Sequence, residues 1–251
     1  KSDIIFEIVP TINITNPLQA KNITDLSYFH VKYVNNQVKT NPKLADEIRL
    51  AKAFAYYQDC YGAESYINGF SGYAVELLVI YYKGFMNFIR AMAKASPGLV
   101  IDMAKHYKKG EAKLKLNKSK IQSPIILVDP TFKERNALAA LSFSTFQKFQ
   151  KVCKTFIKHP SAKFFVLEDK EESFTKKHKE KLVKIRISTS KQAGDIAGTK
   201  LKKFYRYFVQ EAEKMFDIVK HDFDYNEAKN MGTIFFVVEP KKQIKIMGPP
   251  I

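Results

Sequence analysis

The stretch Asn68-Gly69-Phe70-Ser71-Gly72-Tyr73-Ala74-Val75-Glu76-Leu77-Leu78-Val79-Ile80-Tyr81-Tyr82 runs a glycine-rich turn directly into an apolar segment of helical period. From Tyr73 on, Leu77, Leu78, Tyr81, Tyr82, Phe85, Phe88, Ile89 and Met92 share one broad stripe, which predicts one helix, or two joined near Gly84. Glu76, Lys83 and Arg90 interrupt the run from Ala74 to Met92, and a membrane-spanning helix needs roughly 18 or more apolar residues. A helix of a soluble core is expected, and no membrane partner. The turn itself has two readings: a packing turn, or a first helical turn whose unpaired N–H groups receive phosphate.

Working outward, Asn41-Pro42 predicts an N-cap and first helical position ahead of Leu44, Ile48, Ala51 and Ala55, which recur at helical spacing. Residues 105–123 carry seven lysines and little hydrophobicity and read as an exposed loop or basic hairpin before a strand at 125–128. Ser144 is the expected cap of a helix with Phe146, Phe149, Cys153, Phe156 and Ile157 on one face, ended by His159-Pro160, where a domain boundary is placed. Beyond it the pattern changes. Phe164 to Leu167 reads as a short strand, and Val183, Ile185 and Ile187 alternate with Lys184, Arg186 and Ser188 as in a sheet with one wet face. A helical series follows through Leu201, Phe204, Tyr205, Phe208, Ala212, Met215, Phe216 and Val219. Strands at 233–239 and 243–247, joined at Pro240-Lys241-Lys242, complete an α+β unit. At the other end, Ile4 to Pro10 reads as a buried strand holding one carboxylate, Glu7.

At 251 residues the chain is near the ~250 at which single cores stop growing, so two domains are expected. Hydrophobic residues at 45%, with 20 Phe and 13 Tyr, exclude a wholly disordered chain. Two cysteines, Cys60 and Cys153, outside any CxxC pattern, exclude a disulfide framework or zinc ribbon and fit a reducing cytoplasmic setting. The balance of 42 basic against 25 acidic residues, a formal +17, suits a polyanion partner or a lysine-biased composition. The chain opens on Lys1 with residues that already read as a strand, so it is expected to be part of something longer.

Four positions could carry chemistry on their own pattern. Glu7 in an apolar strand is costly to bury unless it is ion-paired or binds a cation, and both readings stand. Lys52, among Ala51, Ala53 and Ala55, either faces solvent or reaches a triphosphate from a cleft. Arg135 is one of only five arginines, a planar fork suited to phosphate or a base edge, or to a plain salt bridge. The Gly69–Gly72 turn is the fourth.

Taken in order, Glu7-Ile8-Val9-Pro10, Tyr61-Gly62-Ala63-Glu64, Gly69-Phe70-Ser71-Gly72-Tyr73 with Glu76-Leu77-Leu78, and Asp129-Pro130 followed by Arg135-Asn136-Ala137-Leu138-Ala139-Ala140-Leu141-Ser142 resemble the archaeal-type (class I) CCA-adding enzymes, the tRNA nucleotidyltransferases. The resemblance implies the last strand of a polymerase-β-like head in 1–15, a mainly helical neck in 16–160 and an RNA-recognition-like α/β body in 161–251. It implies addition of CCA to tRNA 3′ ends from CTP and ATP by a two-metal mechanism with Mg2+. Glu7 falls where the family has a metal-binding catalytic carboxylate, normally Asp, and His30, Lys52 and Tyr61 match residues that hold the triphosphate. Arg135 matches the arginine that reads the base. The implied partners are tRNA, CTP and ATP, a missing or separately encoded head, and a second copy in a homodimer. The Gly-Ser turn and paired carboxylates of the head do not occur in this chain, so it is expected to be inactive alone. A non-catalytic RNA-binding paralogue, an oligonucleotide synthase and a poly(A) polymerase are the alternatives.

Overall fold

A computed structural model describes residues 8, 10–22, 24–167, 169–178 and 181–241. The chain divides into two compact units, one comprising residues up to Ala63 with Ile67–Val166, the other Glu64–Tyr66 with residues from Leu167 onward. The first is mainly helical and the second is built on an antiparallel sheet, so the fold is α+β. Among the described residues no helix is long and apolar enough to cross a membrane.

In the first unit, helix α1 (Ser27–Thr40) precedes α2 (Lys43–Tyr57), α3 (Gly72–Tyr82) and α4 (Phe85–Lys94). As their spacing predicts, Leu44, Ile48, Ala51 and Ala55 form the buried face of α2, joined by Phe54. Phe54 is wholly buried, with the rings of Phe85, Phe149, Phe156, Phe164 and Phe165 at centroid distances between 5.1 and 6.0 Å. Burying one such ring stabilises the fold by roughly 1.5–3 kcal/mol. The expected break near Gly84 is present: Lys83 and Gly84 both take positive φ, and Glu47 Oε2 of α2 accepts the Phe85 N–H at 2.6 Å, capping α4. Strands β1 (Leu99–Ile101) and β2 (Ile125–Leu127) pair in parallel, with Leu99 opposite Ile125. Helix α5 (Glu111–Lys115) lies between them in sequence, and α6 (Phe143–Lys158) follows.

Several expectations are corrected here. Asn41 does not cap α2 with its side chain; its carbonyl accepts the Leu44 N–H, and Pro42 precedes the helix. The cap of α6 is Ser142, whose Oγ accepts the Thr145 N–H at 3.2 Å, rather than Ser144. Residues 162–165 form a 3-10 turn, not a strand, because Ser161 caps it and Phe164 and Phe165 are drawn into the Phe54 cluster. The lysine-rich segment is not a bare loop: Ala112 and Leu116 are buried against Ile126 and Val128. Of the expected strand 4–10, only Ile8 and Pro10 lie among the described residues, and Ile8 is exposed. Glu7 lies outside the described residues.

In the second unit, α7 (Lys170–His178), β3 (Leu182–Ser188), α8 (Gly194–Met215), β4 (Phe216–Asn226) and β5 (Met231–Pro240) follow in order. The sheet order is β3-β5-β4, both pairings antiparallel, with Leu182 opposite Val237 and Asn226 opposite Met231. Alternation along central β5 explains its two faces: Ile234 and Phe236 pack with Val209 and Phe208 of α8, while Phe235 and Val237 pack with Phe174 of α7. The helical series predicted through Val219 is cut at Met215; from Phe216 the chain is extended and pairs with β5. The strand expected at 243–247 lies outside the described residues.

Candidate functional site

The first turn of α3 is the meeting point of the first unit's polar side chains. Ser71 caps it, its Oγ accepting the Ala74 N–H at 3.2 Å. Ahead of it, Phe70 donates to the Cys60 carbonyl and Gly62 to the Phe70 carbonyl, both at 2.8 Å, so the chain carrying Tyr61 is held against the turn. Gly69 allows this approach, since a Cβ there would lie 2.2 Å from the Cys60 carbonyl oxygen. With the Gly69 N–H donated to Gly62 and that of Phe70 to Cys60, these two amides serve packing rather than phosphate.

Tyr61 and Lys52 converge on Gly72. A Cβ on Gly72 would stand 2.7 Å from the Tyr61 hydroxyl and 3.8 Å from Lys52 Nζ. Lys52, projecting from α2, ion-pairs with Glu76 Oε1 at 2.6 Å, and both side chains are partly exposed. Glu76 is one turn along α3 from Gly72.

The next residue, Tyr73, opens a second cluster centred on Asp129, whose side chain is completely buried. Asp129 Oδ2 is 3.0 Å from His30 Nε2 and 2.8 Å from an Arg135 guanidinium nitrogen. Oδ1 accepts from the Tyr73 hydroxyl at 3.0 Å and from the Thr131 N–H and hydroxyl, both at 2.8 Å, an Asx-type turn. Because a carboxylate only accepts, the proton of the His30 ring that matters here is on Nε2. The imidazole stacks on the Tyr73 ring at 4.0 Å, and the guanidinium sits 5.5 Å from that ring's centroid. Burial opposes ionisation of Asp129, but hydrogen bonds from His30 and Arg135 and the Thr131 amide outweigh it and hold the carboxyl below the usual carboxylate range. Burial and the Asp129 charge push the Tyr73 phenol up, so it stays a neutral donor.

The loop that carries Arg135 is fixed by Asn136. Its Oδ1 accepts from the Leu127 and Leu138 amides at 2.9 Å, and its Nδ2 donates to the Lys120 carbonyl and Ser123 Oγ. The Asp129 N–H donates to the Arg135 carbonyl at 3.0 Å, closing the loop on itself. His30, Lys52, Tyr61 and Arg135 are thus brought together around Gly72 and Tyr73. Asp129 and Tyr73, which join them, were visible in the sequence only as members of a quoted motif. The available signal was an Asp-Pro-Thr turn six residues before a rare arginine. Among the described residues, no group of three or more His, Cys, Asp or Glu side chains is arranged to hold a metal ion.

Residues 46–166, which contain Lys52, Tyr61, Tyr73, Asp129 and Arg135, match the family described as tRNA nucleotidyltransferase, second domain. Over these residues the chain is therefore similar to the second domain of the tRNA nucleotidyltransferases. It is similar to the archaeal CCA-adding enzymes: it is 32% identical to that of Nanoarchaeum equitans over 97% of this chain and 59% of the relative. It is 34% identical to that of Sulfurisphaera tokodaii over 75% of this chain and 42% of the relative, and 33% identical to that of Methanosarcina mazei over 66% and 35%. The resemblance carried by the motifs is shown. The chain spans little more than half the length of the curated relatives it matches, or less.

Proposed function

We propose that this chain is the nucleotide- and RNA-holding part of an enzyme that adds CCA to tRNA 3′ ends from CTP and ATP, with residues 1–15 belonging to a polymerase-β-like head, 16–160 a neck and 161–251 a body. The observation that carries the reading is the convergence of His30, Lys52, Tyr61 and Arg135 on the first turn of α3. A triphosphate entering beside Gly72 offers the Lys52 ammonium more negative charge than Glu76 does, so Lys52 exchanges the carboxylate for phosphate. The Tyr61 hydroxyl donates to the same phosphates. Arg135, one of its nitrogens committed to Asp129, keeps its plane fixed and turns the rest of its fork to the base edge. His30, held on the other side of Oδ2, keeps that plane from rotating and faces the triphosphate.

Mg2+ would supply activation of the tRNA 3′-hydroxyl and neutralisation of pyrophosphate, with Glu7 as one ligand and the head as source of the others. The described residues do not form such a site, and their proposed role is to hold the nucleotide and the RNA. The test uses the enzyme completed with its head, acting on tRNA that lacks CCA. Arg135→Lys is expected to lower selection of CTP and ATP over UTP and GTP by one to two decades, since a bidentate base contact is worth about 1–3 kcal/mol. Lys52→Gln raises the nucleotide KM about tenfold or more, as loss of a charged hydrogen bond does. Unchanged nucleotide ratios with a raised tRNA KM in both variants would show an RNA-binding surface with no nucleotide site.

A further inference from the structure

Residues 105–120 contain seven lysines and one glutamate, Glu111. That carboxylate is already used, pairing with Lys115 Nζ at 3.1 Å and accepting the Lys108 N–H at 3.2 Å. Lys105, Lys108, Lys109, Lys113 and Lys118 are exposed, and among the described residues none of them has a carboxylate within ion-pair distance. A loop with this much like charge would extend into solvent if nothing held it. This one is held. Ala112 and Leu116 are buried against Ile126 and Val128, with Tyr107 and Ile121 packed around them. Four further bonds tie the segment to the loop that carries Asp129 and Arg135. The Tyr107 hydroxyl donates to the Lys133 carbonyl at 2.8 Å, and His106 Nε2 lies 3.1 Å from the Pro130 carbonyl oxygen. Lys120 Nζ donates to the Glu134 carbonyl at 2.9 Å, and Asn136 Nδ2 donates to the Lys120 carbonyl at 2.7 Å. The fold therefore fixes a concentrated positive charge beside Arg135, and among the described residues no carboxylate pairs with these five lysines.

We propose that this lysine strap is a docking surface for the phosphate backbone of the RNA whose 3′ end is presented next to Arg135. The inference rests on the nucleotidyltransferase reading and deepens it by naming the surface. A polynucleotide supplies repeated negative charge along a continuous path, which matches a strap better than one point charge does, and bound counterions are released as it docks. Its polar side chains other than lysine are largely engaged within the chain: His106 Nε2 lies at the Pro130 carbonyl, and Asn117 Oδ1 accepts from the Ser119 N–H and hydroxyl. The exposed lysines grip backbone without reading sequence. Its contribution is then affinity and register, and base choice is left to Arg135.

The experiment measures binding of tRNA lacking its CCA to this chain between about 50 and 200 mM salt. Three proteins are compared: the unaltered chain, the strap variant Lys108→Gln/Lys109→Gln/Lys113→Gln, and a control, Lys151→Gln/Lys154→Gln/Lys158→Gln, which removes equal charge from exposed positions on α6. For the strap variant the log–log salt slope is expected to become shallower by about three, one per lost phosphate contact, with binding weakened about tenfold or more. The control is expected to lose far less. Equal losses in the two variants, or no loss in either, overturn the strap as a docking surface while leaving the nucleotidyltransferase reading standing. Failure of the unaltered chain to bind tRNA counts against the reading itself. If polyglutamate of matched charge displaces tRNA from the strap as well as RNA does, the surface belongs to an acidic protein partner and the proposal falls. Thermal melting of each variant, and Lys108→Gln alone, separate lost contact from lost fold.

Discussion

Asp129 is the residue on which most of the site depends. Its buried carboxylate is satisfied by two cationic or polarised side chains, a phenol and an Asx turn, so each partner's position is set by the same two oxygens. Removing it by Asp129→Ala leaves Arg135 beside an apolar gap and is expected to cost about 3–5 kcal/mol, the usual penalty for breaking a buried pair. Asp129→Asn keeps the shape and an acceptor, loses the charge, and costs about 1–3 kcal/mol. The pH dependence has a definite sign. A carboxyl depressed in the folded state adds stability that is present above its unfolded pKa, near ~3.9, and is lost as pH falls from there through the folded value. The stability gap between the parent chain and Asp129→Asn is therefore widest near neutrality and closes below about pH 4. Urea midpoints taken from pH 7 to pH 3 check this, and a gap that stays constant through the acid limb would remove the electrostatic account. His30 and Arg135 were legible from sequence through resemblance, but their common partner was not. Joining them requires α1 and the β2 loop to meet, and those positions are 99 and 6 residues from Asp129.

Among the elements, the first turn of α3 does the assembling, and two glycines allow it for different reasons. A methyl group on Gly69 would meet the Cys60 backbone carbonyl at 2.2 Å, an atom fixed by its own hydrogen bond to Phe70. A methyl on Gly72 would meet the end of the Tyr61 side chain at 2.7 Å, which can swing aside. Gly69→Ala is thus expected to destabilise by about 1–3 kcal/mol, as overpacking against an immovable wall does. Gly72→Ala should leave the melting temperature almost unchanged and weaken triphosphate binding by displacing the Tyr61 hydroxyl. Calorimetric melting and a nucleotide titration on the same two proteins decide it; a Gly72→Ala protein that melts early with nucleotide affinity intact reverses the assignment. The helices whose apolar stripes are dense, α2, α3, α4 and α6, were readable from period alone. Helix α1 was not, because Val34 is its one buried residue and its helical period carries little apolar signal. The Phe164–Phe165 pair misled in the other direction: a short apolar run gives no period, and only the tertiary capture by Phe54 and Phe156 makes it a turn. The same holds at Phe216, where strand pairing with β5 overrides a helical series that the sequence continues to Val219.

For the whole molecule, the net charge of +17 and the proposed reading together make a prediction that neither makes alone. Charge by itself predicts that the chain binds any polyanion, with affinity falling steeply as salt rises. The reading adds that binding and catalysis separate. On the proposed reading, the side chains around α3 are donors for a nucleotide and Glu7 is one carboxylate of the set the resemblance implies, while the described residues contain no metal-holding group. Incubated with tRNA lacking CCA, with CTP, ATP and Mg2+, it is expected to bind the RNA at micromolar or tighter concentrations at about 100 mM salt, and to add no nucleotide. Electrophoresis of the RNA at single-nucleotide resolution, beside a control without protein, reads the second outcome, and a filter-binding titration over the salt range reads the first. Product from this chain alone would place the catalytic carboxylates within its 251 residues and require a different active site from the one around Gly72. Restoration of product on adding a separately expressed head would complete the proposed division of labour, with metal chemistry on the head and selection of the nucleotide by Arg135 and its buried aspartate.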